Sequence, residues 1–449
     1  MSSEVGYYVK ALNNRSKIKV CKKRRWPQFI LFFIIMWTLV ERFLIQHGAP
    51  NSVIYLIDLL NMIMIIAVIP MNFWKKFGPM VLAYGGLIFC GILIALLNYG
   101  TWGGSIIFTI IEVRNVVRFP LFFLACITFL EKGNIETIFG ILTKLFYINF
   151  VIILYQYVTY HPIGIWTRGD YLNGFFGTSV GGNTYVNVLM LCVVAYWLCK
   201  WRGKECAMWK FLLPFGMSVT IAALIELKAY FVEVIILYGW YFFSQRKTIK
   251  EFAKNIVIII VILTIAYFAL QFMYQEYPWF RETMSFSGMF KLATDTSGYA
   301  GSNDLNRLTA IFTISDHMFK GSIAEILAGI GLGNGAIYSI GGMYTRFCQM
   351  YGATHYSWFS SAYIFVQCGV IGLSLYVFSF VYLFIKKKNI QYKFLSQVMI
   401  LLALFLMLYN ETLKTDAGYL VYFAIASGFV LNGRQCGTSK FIQRSKVAT

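Results

Sequence analysis

Predominantly apolar runs recur along this chain at 27–46, 52–70, 78–97, 104–130, 136–159, 183–199, 211–226, 229–243, 255–272, 358–385, 395–410 and 418–431. Most approach the roughly 20 residues that carry an α-helix across a hydrocarbon core about 30 Å thick. No other feature constrains the fold as much, because backbone inside a bilayer must satisfy its own hydrogen bonds, and helices do so within one segment. A membrane barrel would instead alternate apolar and polar residues over short strands, and these runs do not. The expected fold is an all-α polytopic membrane protein of about twelve transmembrane helices. One large outer loop holding short helices is expected as well.

The loops supply the second constraint. Of the 39 lysines and arginines, 27 fall in seven short segments: 1–26, 71–77, 131–136, 199–210, 244–254, 386–393 and 432–449. Basic residues concentrate in cytoplasmic loops, where anionic headgroups attract them. Placing these segments on one side keeps basic and non-basic loops alternating through every run, with both termini cytoplasmic. The net charge of +20 therefore reads as membrane orientation, and nucleic acid is not expected as a partner. The expected organisation is a basic N-terminus (1–26), helices one to nine (27–273) with an outer loop at 160–182, a large outer loop (274–357), helices ten to twelve (358–431) and a basic tail (432–449). The first run lacks a small-residue cleavage site and reads as an uncleaved span. The nine cysteines show no metal-type spacing, and Cys348 is the only one in 274–357, so no disulfide can close within that loop. No phosphate-loop or dinucleotide motif is present, and the cytoplasmic loops are too short for a nucleotide site.

This topology sorts the polar residues. All four histidines, His47, His161, His317 and His355, fall on the outer side. Arg114 and Arg118 lie four apart on one helix face, and Arg114 sits on the order of 12 Å below the outer surface at about 1.5 Å per residue. Ionisable groups at that depth are functional candidates, and two guanidiniums suit a diphosphate; pairing with Glu112 or other helices is the structural alternative. In the large loop, Ser302–Asp304 can cap an amphipathic helix carrying Leu305, Leu308, Ile311, Phe312 and Phe319, with Arg307 in its first turn. Glycines 329, 331, 333 and 335, with 341 and 342, read as a flexible turn region at the surface that could approach a phosphate or form a tight entry into the next segment. His355, just before the run at 358, can take a proton near neutral pH or sit in an aromatic belt with Tyr356 and Trp358.

Three stretches together carry a family resemblance: Arg168 followed by Asn173–Asn183 (NGFFGTSVGGN), Arg307 leading to GIGLGNG at 329–335, and His355 followed by CGVIGL at 368–373. In their order along the chain they resemble the bacterial O-antigen polymerase and O-antigen ligase superfamily. Tyr356 stands where that family usually has Asn, and Lys228 where it often has Ser-Arg. The resemblance implies metal-independent, inverting glycosyl transfer without a cofactor at the outer face of the bacterial cytoplasmic membrane. Donor and acceptor would be glycans on undecaprenyl diphosphate, and a chain-length regulator and a flippase would be protein partners. It makes His355 the base, and Arg168, Arg307, Arg114, Arg118 and Lys228 the groups that hold the diphosphate. Polymerisation of repeat units is the leading expectation. Ligation of a finished glycan to lipid A-core is the first alternative. A lipid-linked oligosaccharide flippase or transporter is the second, although no paired halves with matching broken helices appear.

Overall fold

The computed structural model describes residues 25–71, 73–161, 168–178, 181–244, scattered positions between 256 and 275, and 304–430. Among the described residues the regular elements are all helical. They are α1 (Arg25–Gln46), α2 (Tyr55–Val68), α3 (Gly78–Trp102), α4 (Ile106–Phe129), α5 (Lys132–Thr159), α6 (Asn183–Arg202), α7 (Trp209–Leu224) and α8 (Lys228–Phe243). The large loop contributes short helices α9 (Ala310–Thr313), α10 (Ile323–Ala328) and α11 (Arg346–Tyr351). The chain closes with α12 (Ser360–Ile385), α13 (Lys393–Tyr409) and α14 (Gly418–Ser427). Helices α1–α8 and α12–α14 coincide with expected runs; the run at 255–272 and the loop segment 276–303 lie largely or wholly outside the described residues. Among the described residues, five helices are long and apolar enough to cross a membrane: α1, α3 with the turn before it, α5, α6 and α12.

Burial separates inner from outer helices. Every residue of α14 is buried, and α6 is nearly so, as expected of helices apolar on all sides. By contrast α5 exposes Ile148, Val151, Tyr155 and Val158, one stripe at helical spacing, and α3 exposes Leu82, Phe89, Leu93 and Leu97. Apolar stripes this long on the outside belong against lipid rather than water.

Contacts between loops sort the bundle into two ends. At one end Gln28 donates to the Phe129 carbonyl, Lys200 pairs with Glu136, Arg202 donates to the Ser244 carbonyl, and Asn389 N donates to Gly428. This is the basic end of the sequence reading. At the other end the Gln46 carboxamide accepts from Thr178 N, Gln156 brackets Gly174, and Ser360 N donates to Asn410.

The glycine-rich segment corrects the picture of a flexible surface turn. It is inserted between α3, α4 and α12, and Ile330, Leu332, Asn334 and Ala336 are buried. A break in α12 receives it. Gly369 sits at φ 61°, ψ −164° inside that helix, and the freed carbonyls of Val366 and Gln367 accept from Ile330 N and Gly331 N at 3.0 and 2.9 Å. Leu332 N donates to the Gly91 carbonyl at 2.9 Å, and Gly333 N to Gln367 Oε1 at 2.8 Å. A Cβ at Gly331 or Gly333 would lie closer than 3.0 Å to the backbone of α3 or α4. Irregular backbone survives inside a helical bundle only when protein groups satisfy it in this way.

Candidate functional site

The end opposite the basic one holds His355. Its Nδ1 meets Asp304 Oδ1, its ring stacks on Trp358 at 4.0 Å, and its side chain is 43% exposed. Nε2 makes no hydrogen bond among the described residues and is reachable from outside. Two features fix the placement. His355 adopts φ 53°, a left-handed conformation uncommon for a residue with a Cβ. Leu305 N donates to the Thr354 carbonyl at 3.0 Å, which clamps the Asp304 strand against it. Arg307 follows directly: its Nε donates to the Tyr409 carbonyl at 3.1 Å, and its guanidinium lies 4.4 Å above the Tyr409 ring. The structure therefore sets Asp304 against the His355 imidazole as the group that orients it, with Arg307 three residues further along the same segment.

The expected amphipathic helix is shorter than its pattern. Its one described cap residue, Asp304, serves His355 instead, and α9 begins at Ala310. The buried face is Leu305, Ala310, Ile314, Met318 and Phe319, whereas Leu308 and Phe312 are 60% and 69% exposed. The wide turn at Ile314–Met318 leaves Ala310, Ile314 and Met318 on the buried face at i, i+4 spacing and turns Leu308 and Phe312 away from it. Tyr356, expected at an aromatic belt, is fully buried, and its hydroxyl donates to the Gly335 carbonyl at 2.9 Å.

Arg114 and Arg118 form a second group, inside the bundle. Arg118 is 7% exposed, is salt-bridged by Asp416 and donates to the Lys414 carbonyl. Arg114 pairs with Asp58 and lies 5.0 Å over the Tyr55 ring. Glu41 is also buried, 3.3 Å from the Tyr185 hydroxyl. Each arginine thus already has a carboxylate, and a diphosphate would have to displace it. Pairing with other helices, the structural alternative, is what the fold uses, with Asp58 and Asp416 as partners. Glu112 instead receives Tyr363 at 2.7 Å and Gln367 at 3.1 Å. These three side chains and Lys414 line a cavity of about 40 Å³ between α4 and α12, whose wall also includes Asn115, Ser360, Leu87 and Phe119. Lys414 belongs to the 410–417 loop, where it donates to the Ser357 carbonyl at 2.6 Å. Burial holds its ammonium below the usual lysine range, with Glu411 and Glu112 acting in the opposite sense. It ties the interior group to the His355 loop.

Arg168 and Lys228 belong to a third group. Arg168 opens a short turn, Arg168–Tyr171, and its neighbour Gly169 donates to Glu226 Oε1 at 3.2 Å. Glu226 occupies φ 55° in the tight connection before Lys228, and Leu227 N closes back on the Ala222 carbonyl. The two loops that carry these cations therefore meet each other.

Sequence reading missed three groups: Asp304 as partner of His355, and Asp58 and Asp416 as partners of the arginines. Asp58 had a signal, since a lone carboxylate within an apolar run demands a counter-charge. Asp304 had none, lying 51 residues from its histidine in sequence. Comparison with protein-family models, characterised proteins and solved structures finds no match.

Proposed function

We propose that this chain is a membrane glycosyltransferase that polymerises oligosaccharide repeat units carried on a polyprenyl diphosphate, with twelve passes and its site at the non-basic, outer face. One observation carries the reading: a part-exposed His355 paired with Asp304, in the segment that leads to Arg307, at the end of the bundle opposite the basic loops. In the proposed step Nε2 of His355 accepts the proton of an acceptor hydroxyl. The oxygen forms a bond to the anomeric carbon from the face opposite the leaving group. The bond from that carbon to the diphosphate oxygen breaks, and the electron pair leaves with the diphosphate, inverting the centre. Asp304 stabilises the resulting imidazolium, as a carboxylate does for a catalytic histidine. A fixed cation offsets charge on the departing diphosphate. Arg307 has this role and Lys228 extends it, and the resemblance adds Arg168, whose side chain lies outside the described residues. Arg114 and Arg118, already paired, organise the bundle beneath.

Complementation with His355→Ala tests the reading, with surface polysaccharide resolved on a gel and membrane protein measured alongside. The expected result is normal protein and a ladder collapsed to one repeat. Polymer accumulating on the polyprenyl carrier would mean ligation, and an unchanged ladder would remove His355 as the base.

A further inference from the structure

The opposite, basic end contains a larger cavity, of about 430 Å³, between the C-terminal ends of α6 and α8 and the N-terminal end of α13. Its lining includes Arg202, Trp240, Ser244, Gln391, Lys393 and Gln397. Arg202 and Lys393 have no carboxylate partner among the described residues. Arg202 is held by one bond to the Ser244 carbonyl at 2.8 Å and by the Phe394 ring 4.7 Å away, so its guanidinium is positioned but not neutralised. Glu205, which touches Gln391, is already salt-bridged by Lys200 at 2.6 Å. Two lining residues carry buried donors with nothing to bond, Trp240 Nε1 and Ser244 Oγ. Buried donors in native proteins nearly always have partners, so their orphaning points to a missing acceptor. The residue before α13, Tyr392, makes no side-chain cap bond; Cys199 Sγ takes the Leu395 N–H, and the rest of the first turn adds N–H groups and a positive dipole end.

Two unpaired cations, two orphaned donors and a helix start fit an oxyanion, and the geometry suits a phosphate. The rim is apolar: Ile390, which lines the cavity, is 91% exposed, and neighbouring Phe243 is 80% exposed. We propose that this cavity binds a phosphate group, that of an anionic lipid headgroup whose acyl chains lie against the apolar rim. Basic pockets between membrane helices take such headgroups. The site is independent of the His355 end and of the reading given to it.

The full-length protein purified in a neutral detergent provides the test. Melting temperature is followed while dioleoylphosphatidylglycerol, dioleoylphosphatidylcholine or inorganic phosphate is added. Phosphatidylglycerol should raise it saturably and phosphatidylcholine should not. Lys393→Gln and Arg202→Gln should each weaken the phosphatidylglycerol response by on the order of five- to tenfold, as loss of a cation beside an anionic headgroup predicts. Lys204→Gln with Lys210→Gln, at the same end but outside the cavity, should leave it unchanged. Should Arg202→Gln fold poorly, Lys393→Gln, whose side chain is exposed, carries the test alone. Saturable stabilisation by inorganic phosphate, lost in the same variants, would keep the phosphate site but assign it to a soluble ligand. Equal responses in the wild type and the cavity variants, or no response to either phosphate source, would overturn the proposal.

Discussion

Two stretches of one loop meet the helical bundle in opposite ways. Residues 329–335 enter it backbone first, through N–H groups bonded to Val366, Gln367 and Gly91. Residues 354–358 stay at its rim and present side chains, His355 outward and Tyr356 inward. Both contain residues at positive φ, but for different reasons. Gly331 and Gly333 need it because any Cβ would strike α3 or α4. His355 adopts it with its ring stacked on Trp358 and its Nδ1 on Asp304. Among the arginines, Arg118 pairs with Asp416 within the bundle, and Arg307 donates to the Tyr409 carbonyl and lies over its ring. Strain against backbone marks architecture here, and strain that only orients a polar side chain marks the candidate site.

The hardest blow to this contrast is Gly331→Ala. A methyl group driven into the α3 backbone should cost about 4 kcal/mol or more, and folded protein should vanish from the membrane fraction. Normal yield would mean that the inserted segment is not packed as described. Next comes Arg118→Met, which strands Asp416 and should destabilise by about 3–5 kcal/mol. Adding Asp416→Leu should recover much of that in a detergent melt, whereas a role in gripping substrate would leave the double variant stable but inactive. His355→Ala should do the reverse of both: transfer falls about 10²–10⁴-fold while the melting curve is unchanged. Asp304→Asn should lower transfer on the order of 10²-fold and should alter its pH profile, since the carboxylate no longer balances the imidazolium; a loss without a changed profile would reduce Asp304 to a structural support. The smallest effect is expected for Leu308→Ser with Phe312→Ser. Both side chains are exposed, so stability should move by no more than about 0.5 kcal/mol, and a larger loss would show that this face is covered in the membrane.

Much of this was legible in the residues, because apolar length and the sign of loop charges act locally. They placed α1–α8 and α12–α14 to within a few residues, and they sorted the loops into the two ends that inter-loop contacts now define. Motif order singled out Arg307 and His355, and the fold joins their segments through the contact between Asp304 and His355. Pairings across long sequence separation were not legible. Asp304 looked like a helix cap because Ser-Asn-Asp before an apolar stripe is a capping pattern, and only the fold sets it against His355. Arg114 and Arg118 looked poised for an anion because neither Asp58 nor Asp416 is near them in the chain.

By itself the sequence determined that this chain is a helical, bilayer-suited protein with one basic end, since segment hydrophobicity and loop charge need no partner to act. Tertiary structure alone decided which polar groups meet. A buried cation takes whichever carboxylate or carbonyl the packing delivers, and a glycine's lack of a side chain has consequence only when another backbone arrives beside it. Hence the glycine segment became a wedge in α12, the interior arginines became paired struts, and His355 was left at the rim with a carboxylate behind it and its other nitrogen facing out.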